Sequence, residues 1–259
     1  MSKSLKIIVI GAGICGLSSA IWLRRSGHDV TLIDRDHPGA GASYGNAGLL
    51  AQWAMITTNT PDLPKTALKY ILNPRSPLFL QWSALPRMTP WLWMYLRNAT
   101  DDRLAHMSAA IAHIVTDSLD QHRALTRGTR AEQWITPSSF SFVYESRAQF
   151  AADESAGSIR TGFDQIPQLI EGPAVQDAEP LLSPKHRVIA QLRDHGHILN
   201  PAAYIADLAG GLEEEGGRYL QAEAIDFAMD GGKVSAVITD QGPWPCDRAV
   251  LAAGIWSKP

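Results

Sequence analysis

Four consecutive apolar residues, Ile7 to Ile10, lead into a glycine-rich turn, after which apolar positions recur at helical spacing as far as Leu23. A short continuous apolar run reads as a strand covered on both faces, and the change of period marks a helix, expected over 15–26. A second apolar run from Asp29 to Ile33 predicts another strand, ending on Asp34. From about residue 54 to 135 this strand–helix alternation stops. Prolines at 61, 64, 74, 77, 86 and 90 punctuate short helical pieces, among them 64–72 and 90–98, before a longer helix with Leu104, Met107, Ile111 and Ile114 on one face. Phe140, Phe142 and Tyr144 then alternate with Ser139, Ser141 and Val143, the period of a half-buried strand over 139–145. A further strand is expected over 188–193, and the polar segment 151–185 between them has no readable period.

The last part of the chain returns to regular elements. Asn200 and Pro201 open a helix with Ile205, Leu208, Ala209 and Leu212 on one face and Gly216 just past its end. Short strands at 219–221, 224–229 and 234–239 surround Asp230-Gly231-Gly232, a hairpin turn signal, and are expected to form a meander. Residues 248–257, RAVLAAGIWS, read as a buried strand running into a glycine turn.

A chain of 259 residues that is 45% hydrophobic is long enough to bury a sizeable core as one large domain or two smaller ones. With 23 basic and 26 acidic residues the net charge is −3, which supplies no basic field for nucleic acid. The two cysteines, Cys15 and Cys246, make neither a disulfide framework nor a metal-binding spacing. His106 and His113 sit two turns apart on their helix, too far to share a metal, and read as solvated or packing residues. His195 and His197 lie two apart on a strand, where they would face one side, but have no third ligand nearby.

The candidate chemistry lies in the first turn, GAGICG, residues Gly11, Ala12, Gly13, Ile14, Cys15 and Gly16. Its G-x-G-x-x-G spacing lets backbone approach a pyrophosphate, with the positive end of the helix behind the anion. Asp34, at the end of the second strand, stands where a carboxylate accepts hydrogen bonds from an adenosine ribose, and Arg35 is its exposed neighbour. Strand, glycine turn, helix, second strand and terminal acid together indicate dinucleotide binding. Lys3, Lys6 and the apolar run could be taken for a signal peptide, but three glycines at this spacing and the lack of a small-residue cleavage site oppose that. The run is also too short and glycine-rich to span a membrane, so a cytoplasmic protein is expected.

An acid–Arg pair at 34–35 followed by GASYGNAGLL resembles the D-amino acid oxidase superfamily of flavoproteins, and in particular its bacterial D-amino acid dehydrogenase small subunits. The stretches TPDLPKTALKYILNPRSPL, WLWMYLRN and NPAAYIADLA carry the likeness along the chain. The resemblance implies FAD as cofactor, with pyrophosphate contact at Ala42 and Ser43 and flavin contact at Asn46, Ala47, Gly48 and Leu49. It also implies an adenine-side contact at Ala224 and a return to the cofactor at Ala252, Ala253, Gly254 and Trp256. The fold it implies is α/β: a Rossmann-like FAD-binding domain of mostly parallel sheet, with an inserted α+β substrate domain containing an antiparallel sheet. The corresponding boundaries are 1–60 and 199–259 for the FAD domain and 61–198 for the insertion.

The activity implied is oxidative deamination of D-amino acids to 2-oxo acids and ammonia, by hydride transfer from Cα to flavin N5, with no obligatory side-chain base. No Ser/His/Asp, Cys/His or paired-carboxylate site competes with that reading, and no catalytic side chain is assigned. A glycine or sarcosine oxidase and a D-hydroxyproline dehydrogenase are alternatives within the class; an NAD-dependent reductase and a non-catalytic flavin-binding protein lie outside it. The expected partners are a small amino acid, a quinone or other electron acceptor, and a second copy of the chain. Trp82, Trp91 and Trp93 offer a surface for peripheral association with the inner face of the cytoplasmic membrane, against the plainer reading that they fill a core. Because the resemblance continues in the family beyond the point matched by Pro259, including the basic residue that pairs the substrate carboxylate, the chain is expected to be a truncated form that does not turn over substrate.

Overall fold

The computed structural model describes residues 3–63, 67, 81–153 and 166–257. The helical piece expected over 64–72 therefore lies almost wholly outside the described residues. The chain divides into two compact units: residues 1–50, 120–137 and 196–259, and residues 51–119 and 138–195. Residues 120–137 thus fall in the same unit as the glycine turn.

The first unit is built on a parallel sheet. Strand β1 (Lys6–Ile10) leads through the glycine turn to helix α1 (Ile14–Arg25) and back to β2 (Asp29–Asp34), which pairs beside it in parallel, Ile10 opposite Ile33. The expected helix is therefore present one residue earlier than the spacing indicates. Next comes β3 (Leu49–Leu50). The remaining elements of this unit follow much later in the chain and are described after the second unit.

In the second unit α2 (Leu85–Arg97) has no buried residue, and α3 (Asp101–Val115) is capped by Thr100, whose hydroxyl accepts the Arg103 amide at 3.4 Å. Asp101 and Asp102 complement the positive end of α3. The face expected on α3 is corrected in part: Leu104 is buried and Met107 and Ile111 are half-buried, but Ile114 is 75% exposed, and the buried stripe runs through Leu104, Ser108 and Ala112, spaced four apart. A stripe with period four follows one side of the helix as closely as the 104/107/111/114 set, and small residues on it were not visible as core. Helix α4 (Ser118–Thr126) then carries the chain into the first unit. Strand β4 (Ile135–Tyr144) begins four residues before the expected start and is partly covered along nearly its whole length. Its Phe140 and Phe142 close on Trp53, with ring centroids at 4.4 and 5.1 Å. Helix α5 (Arg147–Ala152), strand β5 (Gln168–Glu171), helix α6 (Ala174–Ala178) and strand β6 (Val188–Ile198) follow, β5 antiparallel to β6. Strand β6 continues five residues past the expected Arg193, through Asp194 at φ +64°, the only non-glycine at positive φ among the described residues.

Back in the first unit, α7 (Pro201–Glu214) starts at Asn200, whose side chain accepts the Ala203 amide at 3.1 Å, with Pro201 in the first turn where its missing donor costs nothing. Beyond it come β7 (Arg218–Gln221), β8 (Ala224–Asp230), β9 (Lys233–Thr239), β10 (Gly242–Pro245) and β11 (Arg248–Leu251). The parallel sheet has the order β11-β1-β2-β7, and β10-β9-β8 form an antiparallel meander. Here the expected meander is corrected. Strand β7 is not its first member but pairs in parallel beside β2, Leu32 opposite Tyr219, and the third meander strand is β10, in a segment the pattern left unassigned. Gly231 and Gly232, both at positive φ, close the two-residue β8–β9 hairpin as Asp-Gly-Gly predicts.

Alternation along the parallel strands separates two cores. Ile8, Ile10 and Ile33 point to one face, packing with Ala222, Val237 and Cys246 under the meander's Phe227, Val234 and Trp244. Val9, Val30 and Leu32, of opposite parity and fully buried, face the other way. Leu17 and Ile21 of α1 and Tyr204, Ile205, Leu208 and Leu212 of α7 are also fully or almost fully buried. A three-layer unit results, meander, sheet and helices, in which each buried aliphatic side chain contributes about 1.5–3 kcal/mol of transfer free energy. Arg25 ties the C-terminal ends of the two helices by a fork on Glu215, 2.6 Å at its shortest, while Arg24 donates to the Glu215 carbonyl at 2.8 Å.

Candidate functional site

The glycine turn is held from three directions. The Gly11 amide donates to the Ile33 carbonyl at the end of β2, the Ala252 amide to the Ile10 carbonyl, and the Gly39 amide to the Ala12 carbonyl, at 2.8, 2.8 and 3.0 Å. Two of the three glycines are required by this packing. Gly11 has φ +108°, and a Cβ there would stand 2.5 Å from the Ala252 carbonyl oxygen; a Cβ on Gly16 would run into the carbonyl of Gly11.

Gly13 differs from both. Its φ of −76° and ψ of 178° suit any residue, and a Cβ would meet nothing closer than the Ser43 hydroxyl at 3.3 Å. No backbone atom of the protein crowds this position, and a methyl group would ask only a small shift of the Ser43 side chain. Gly13 is also the N-cap residue of α1 and provides no side-chain cap. The Ser43 hydroxyl accepts the Ile14 amide at 3.0 Å, but among the described residues no protein group takes the amides of Gly13 or Cys15. Donors and dipole therefore face a space kept clear at Gly13. That arrangement suits a diphosphate, so the residues present fit the group that the G-x-G-x-x-G spacing implies.

Asp34 lies over the same turn. One carboxylate oxygen accepts the Ala12 amide at 2.6 Å and the other the Asp36 amide at 3.1 Å. A carboxylate has about four acceptor positions, so capacity remains for a sugar hydroxyl. The edge beyond it is pinned by the Tyr219 hydroxyl, which donates to the Asp36 carbonyl at 2.6 Å, and by the Gln221 amide on the Arg35 carbonyl at 3.2 Å. Burial first, then the charges of Asp34 and Asp36, push the Tyr219 hydroxyl up to about 12, so it remains a donor. Arg35 is exposed, its guanidinium 4.9 Å from the Trp256 ring centre.

The loop 42–49 is organised by its own side chains. Asn46 donates to the Ser43 carbonyl at 3.1 Å and accepts the Gly48 amide at 2.8 Å, and Gly48 takes φ +67° against the Ile198 carbonyl. Leu49 and Leu50 pair antiparallel with His197 and Gly196, which sets the loop beside the end of β6. The His197 Nε2 lies 3.0 Å from the Ala47 carbonyl, so the structure gives this histidine a loop-anchoring hydrogen bond. The two histidines of this strand also part ways: His195 is buried, His197 only partly so.

Gly11 to Gly16, Asp34, Arg35, Ala42, Ser43, Asn46 to Leu49 and Ala252 to Trp256 thus gather at the C-terminal ends of β1, β2 and β11. This is where the sheet order reverses and where open α/β sheets take ligands. Ala224 lies apart, at the start of β8 and packed against the core under the meander.

A cavity of about 140 Å³ opens in this unit between α1, the loop and α7, lined among others by Ile14, Ser43, Asn46, Leu49, His122 and Tyr204. It is the size of a segment of a dinucleotide rather than of a whole one. His122 and Tyr204 had no signal in the sequence; the four histidines that drew attention there, 106, 113, 195 and 197, do not line it. His122 on α4 places its Nδ1 at 2.7 Å from the Tyr204 hydroxyl of α7. Burial lowers the His122 pKa and raises that of Tyr204, so both are neutral at pH 7. Among the described residues no group of three or more His, Cys, Asp or Glu side chains could hold a metal ion.

The family of FAD dependent oxidoreductases designated DAO matches residues 6–259. A D-amino-acid oxidase of Bradyrhizobium diazoefficiens is 33% identical over 100% of this chain and 62% of its own length. A D-amino acid dehydrogenase of Rhizobium rhizogenes is 29% identical over 98% of this chain and 62% of its own. The chain therefore spans less than two thirds of these relatives. Among solved structures, glycine oxidase from Bacillus cereus superposes with a TM-score of 0.65 at 18% identity, covering 98% of this chain and 56% of that one. L-amino acid deaminase from Proteus myxofaciens does so with a TM-score of 0.64 at 17% identity, covering 99% and 47%.

Proposed function

Because the chain belongs to the DAO family of FAD dependent oxidoreductases, we propose that its first unit holds FAD and that the protein oxidises D-amino acids to 2-oxo acids and ammonia. The observation that carries this reading is Gly13, a glycine whose backbone conformation any residue could adopt and whose Cβ would press only on the Ser43 side chain, at a helix start whose Gly13 and Cys15 amides have no protein acceptor among the described residues.

In this reading the turn 11–16 with Ser43 binds the diphosphate, Asp34 accepts from the ribose, and Arg35 and Trp256 flank that edge. Residues 46–49 face the flavin, where small side chains let backbone amides approach the ring edge. Ala42, Ala252, Ala253 and Gly254 complete the assignment, and Ala224, which lies apart, is left out of it. Residues 1–50, 120–137 and 196–259 act as the FAD-binding domain, and 51–119 and 138–195 as the substrate domain, so that the segment 120–137 leaves the insertion expected over 61–198. The bound flavin supplies a two-electron acceptor for the hydrogen on the substrate Cα. The protein's part is to orient the amino acid and exclude competing geometries, a contribution worth several kcal/mol of barrier in well-positioned reactions.

The electron acceptor we favour is a membrane quinone, reached by peripheral binding at the inner face of the cytoplasmic membrane. Trp82, Trp91 and Trp93 are 67%, 52% and 60% exposed, Arg97 lies 5.2 Å from the Trp93 ring centre, and α2 buries none of its residues. Aromatic and basic groups presented together suit an anionic lipid interface. No helix among the described residues is long and apolar enough to cross a membrane. Co-flotation with anionic vesicles, lost on replacing Trp91 and Trp93 by Ser, is the expected result; wild-type protein left at the bottom of the gradient argues against it.

The test of the main reading is spectroscopic. Protein incubated with FAD and freed of excess should be yellow with a flavin spectrum, and in a form extended to the length of the relatives, of which this chain spans 62%, anaerobic D-alanine or D-proline should bleach it. Bleaching by sarcosine or glycine alone would move the assignment to the glycine or sarcosine oxidases. A colourless preparation that binds NADH would overturn it.

A further inference from the structure

His122 comes from a helix, α4, that carries no part of the nucleotide fingerprint, yet its side chain lines the cavity at the start of α1 and the loop 43–50. One ring nitrogen is committed. The Tyr204 hydroxyl sits 2.7 Å from Nδ1, and Tyr204 itself is 1% exposed, so this contact satisfies a buried phenol that would otherwise lack a partner. The phenol is the better donor of the two and the imidazole nitrogen the better acceptor. We therefore assign the bond as Tyr204 O–H to Nδ1, which places the ring's proton on Nε2. Among the described residues Nε2 has no hydrogen-bond partner. Most of the remaining cavity wall is apolar (Ile14, Leu49, Leu50, Ile198, Ile205); of its polar groups Asn46 is engaged by the Gly48 amide and the Ser43 carbonyl, and the Ser43 oxygen accepts the Ile14 amide. An unpaired N–H donor on a residue that lines such a space calls for an oxygen acceptor on whatever enters it.

Resting on the reading of this unit as an FAD site, we propose that His122 is a binding residue for the flavin half of the dinucleotide, donating from Nε2 to an oxygen of its ribityl–phosphate segment, with Tyr204 as the positioning residue that fixes the tautomer. The flavin half is favoured over the adenosine half by the cavity's walls. They include Asn46, Gly48 and Leu49 of the loop, and neither Asp34 nor the β7–β8 edge. The plainer role for His122, that it merely satisfies the buried Tyr204 hydroxyl, predicts a different pattern of variants, and that difference makes the test.

Glutamine at 122 can bring its amide nitrogen near the position of Nε2 but loses Nδ1; asparagine keeps a partner for Tyr204 but is too short to reach the cavity. Three variants, His122→Gln, His122→Asn and His122→Phe, are titrated with FAD by flavin fluorescence, with ADP as competitor and thermal unfolding of the FAD-free protein as the structural readout. A lost hydrogen bond to an oxygen of a charged group corresponds to about a tenfold to hundredfold weaker FAD Kd. That loss is expected for His122→Phe and His122→Asn, with His122→Gln nearer wild type and ADP affinity unchanged in all three. The reverse order, Asn like wild type and Gln impaired in parallel with its unfolding temperature, would overturn the proposal in favour of the plainer role. Equal weakening of ADP would overturn the placement at the flavin half. Wild-type protein that fails to bind FAD removes the dinucleotide reading and this inference together; wild-type binding matched by all three variants removes the inference alone.

Discussion

Gly13 and Gly16 stand three residues apart in one turn, and a methyl group added to each should have opposite effects. At Gly16 it collides with the Gly11 carbonyl, a backbone atom that cannot yield without moving β1, so Gly16→Ala is expected to cost about 1–3 kcal/mol or more and lower the unfolding temperature. At Gly13 it meets only the Ser43 hydroxyl, and Gly13→Ala should cost at most about 1 kcal/mol, the scale of an N-cap change. FAD affinity should nevertheless fall at least about tenfold, because the methyl group occupies the approach to the diphosphate. Thermal unfolding and FAD titration of the two variants side by side check both statements. A Gly13→Ala protein that unfolds early would show that the chain, not a ligand, requires this glycine. Only the G-x-G-x-x-G spacing was legible at this scale; which glycine serves the fold and which the ligand depended on where Ala252 and Ser43 lie in space.

Among the elements, α7 is the one whose ends are most clearly written in the chain. Asn200→Ala removes the acceptor of the Ala203 amide and is expected to destabilise the protein by about 1 kcal/mol, whereas Asn200→Asp should be close to neutral. Chemical denaturation with an unchanged slope would read the difference; no loss in the alanine variant would mean that water replaces the cap. The far end of α7 is joined to α1 through Arg25 and Glu215, side chains only 24% and 29% exposed, with two guanidinium nitrogens on the carboxylate. Glu215→Gln should cost up to about 1 kcal/mol, less in high salt. A penalty independent of ionic strength would point to packing rather than charge.

At the scale of the whole molecule, protonation is the lever that reaches both units. Burial lowers the pKa of His122 in the first unit, and in the second it lowers that of His195, partly offset there by the charge of Asp194. Each histidine takes up its proton less readily in the folded chain than at the ordinary value of about 6.5 in the unfolded one. Their contribution to stability is therefore full above about pH 6.5, falls as the pH drops through that value, and levels off only below the depressed folded pKa. The unfolding temperature is expected to decline from pH 6.5 towards 5, and less steeply in His122→Gln. Identical slopes for wild type and variant would show that His122 is not among the groups responsible. His195 has both ring nitrogens without a hydrogen bond among the described residues, which agrees with a neutral ring there.

The chain alone determined the unit from β1 to β2, its glycine turn, the terminal Asp34, the capped helix α7 and the Asp-Gly-Gly hairpin. All of these are decided within a few tens of residues by apolar period, backbone permissiveness and capping, which are local properties. The candidate site was legible as far as those local signals extend: the turn 11–16, Asp34 and the small residues of the loop 42–49. Tertiary structure decided the rest. A three- or four-residue strand such as β7 has too short a pattern to choose between the meander and the parallel sheet, and its place beside β2 follows from the pairing of residues almost two hundred positions apart. That α3 buries Ser108 and Ala112 beside Leu104 and leaves Ile114 exposed depended on its neighbours. His122 and Tyr204 meet across 82 positions of chain, and no periodicity relates an imidazole to a phenol at that separation. Only packing α4 and α7 beside the glycine turn brings them together at the cavity.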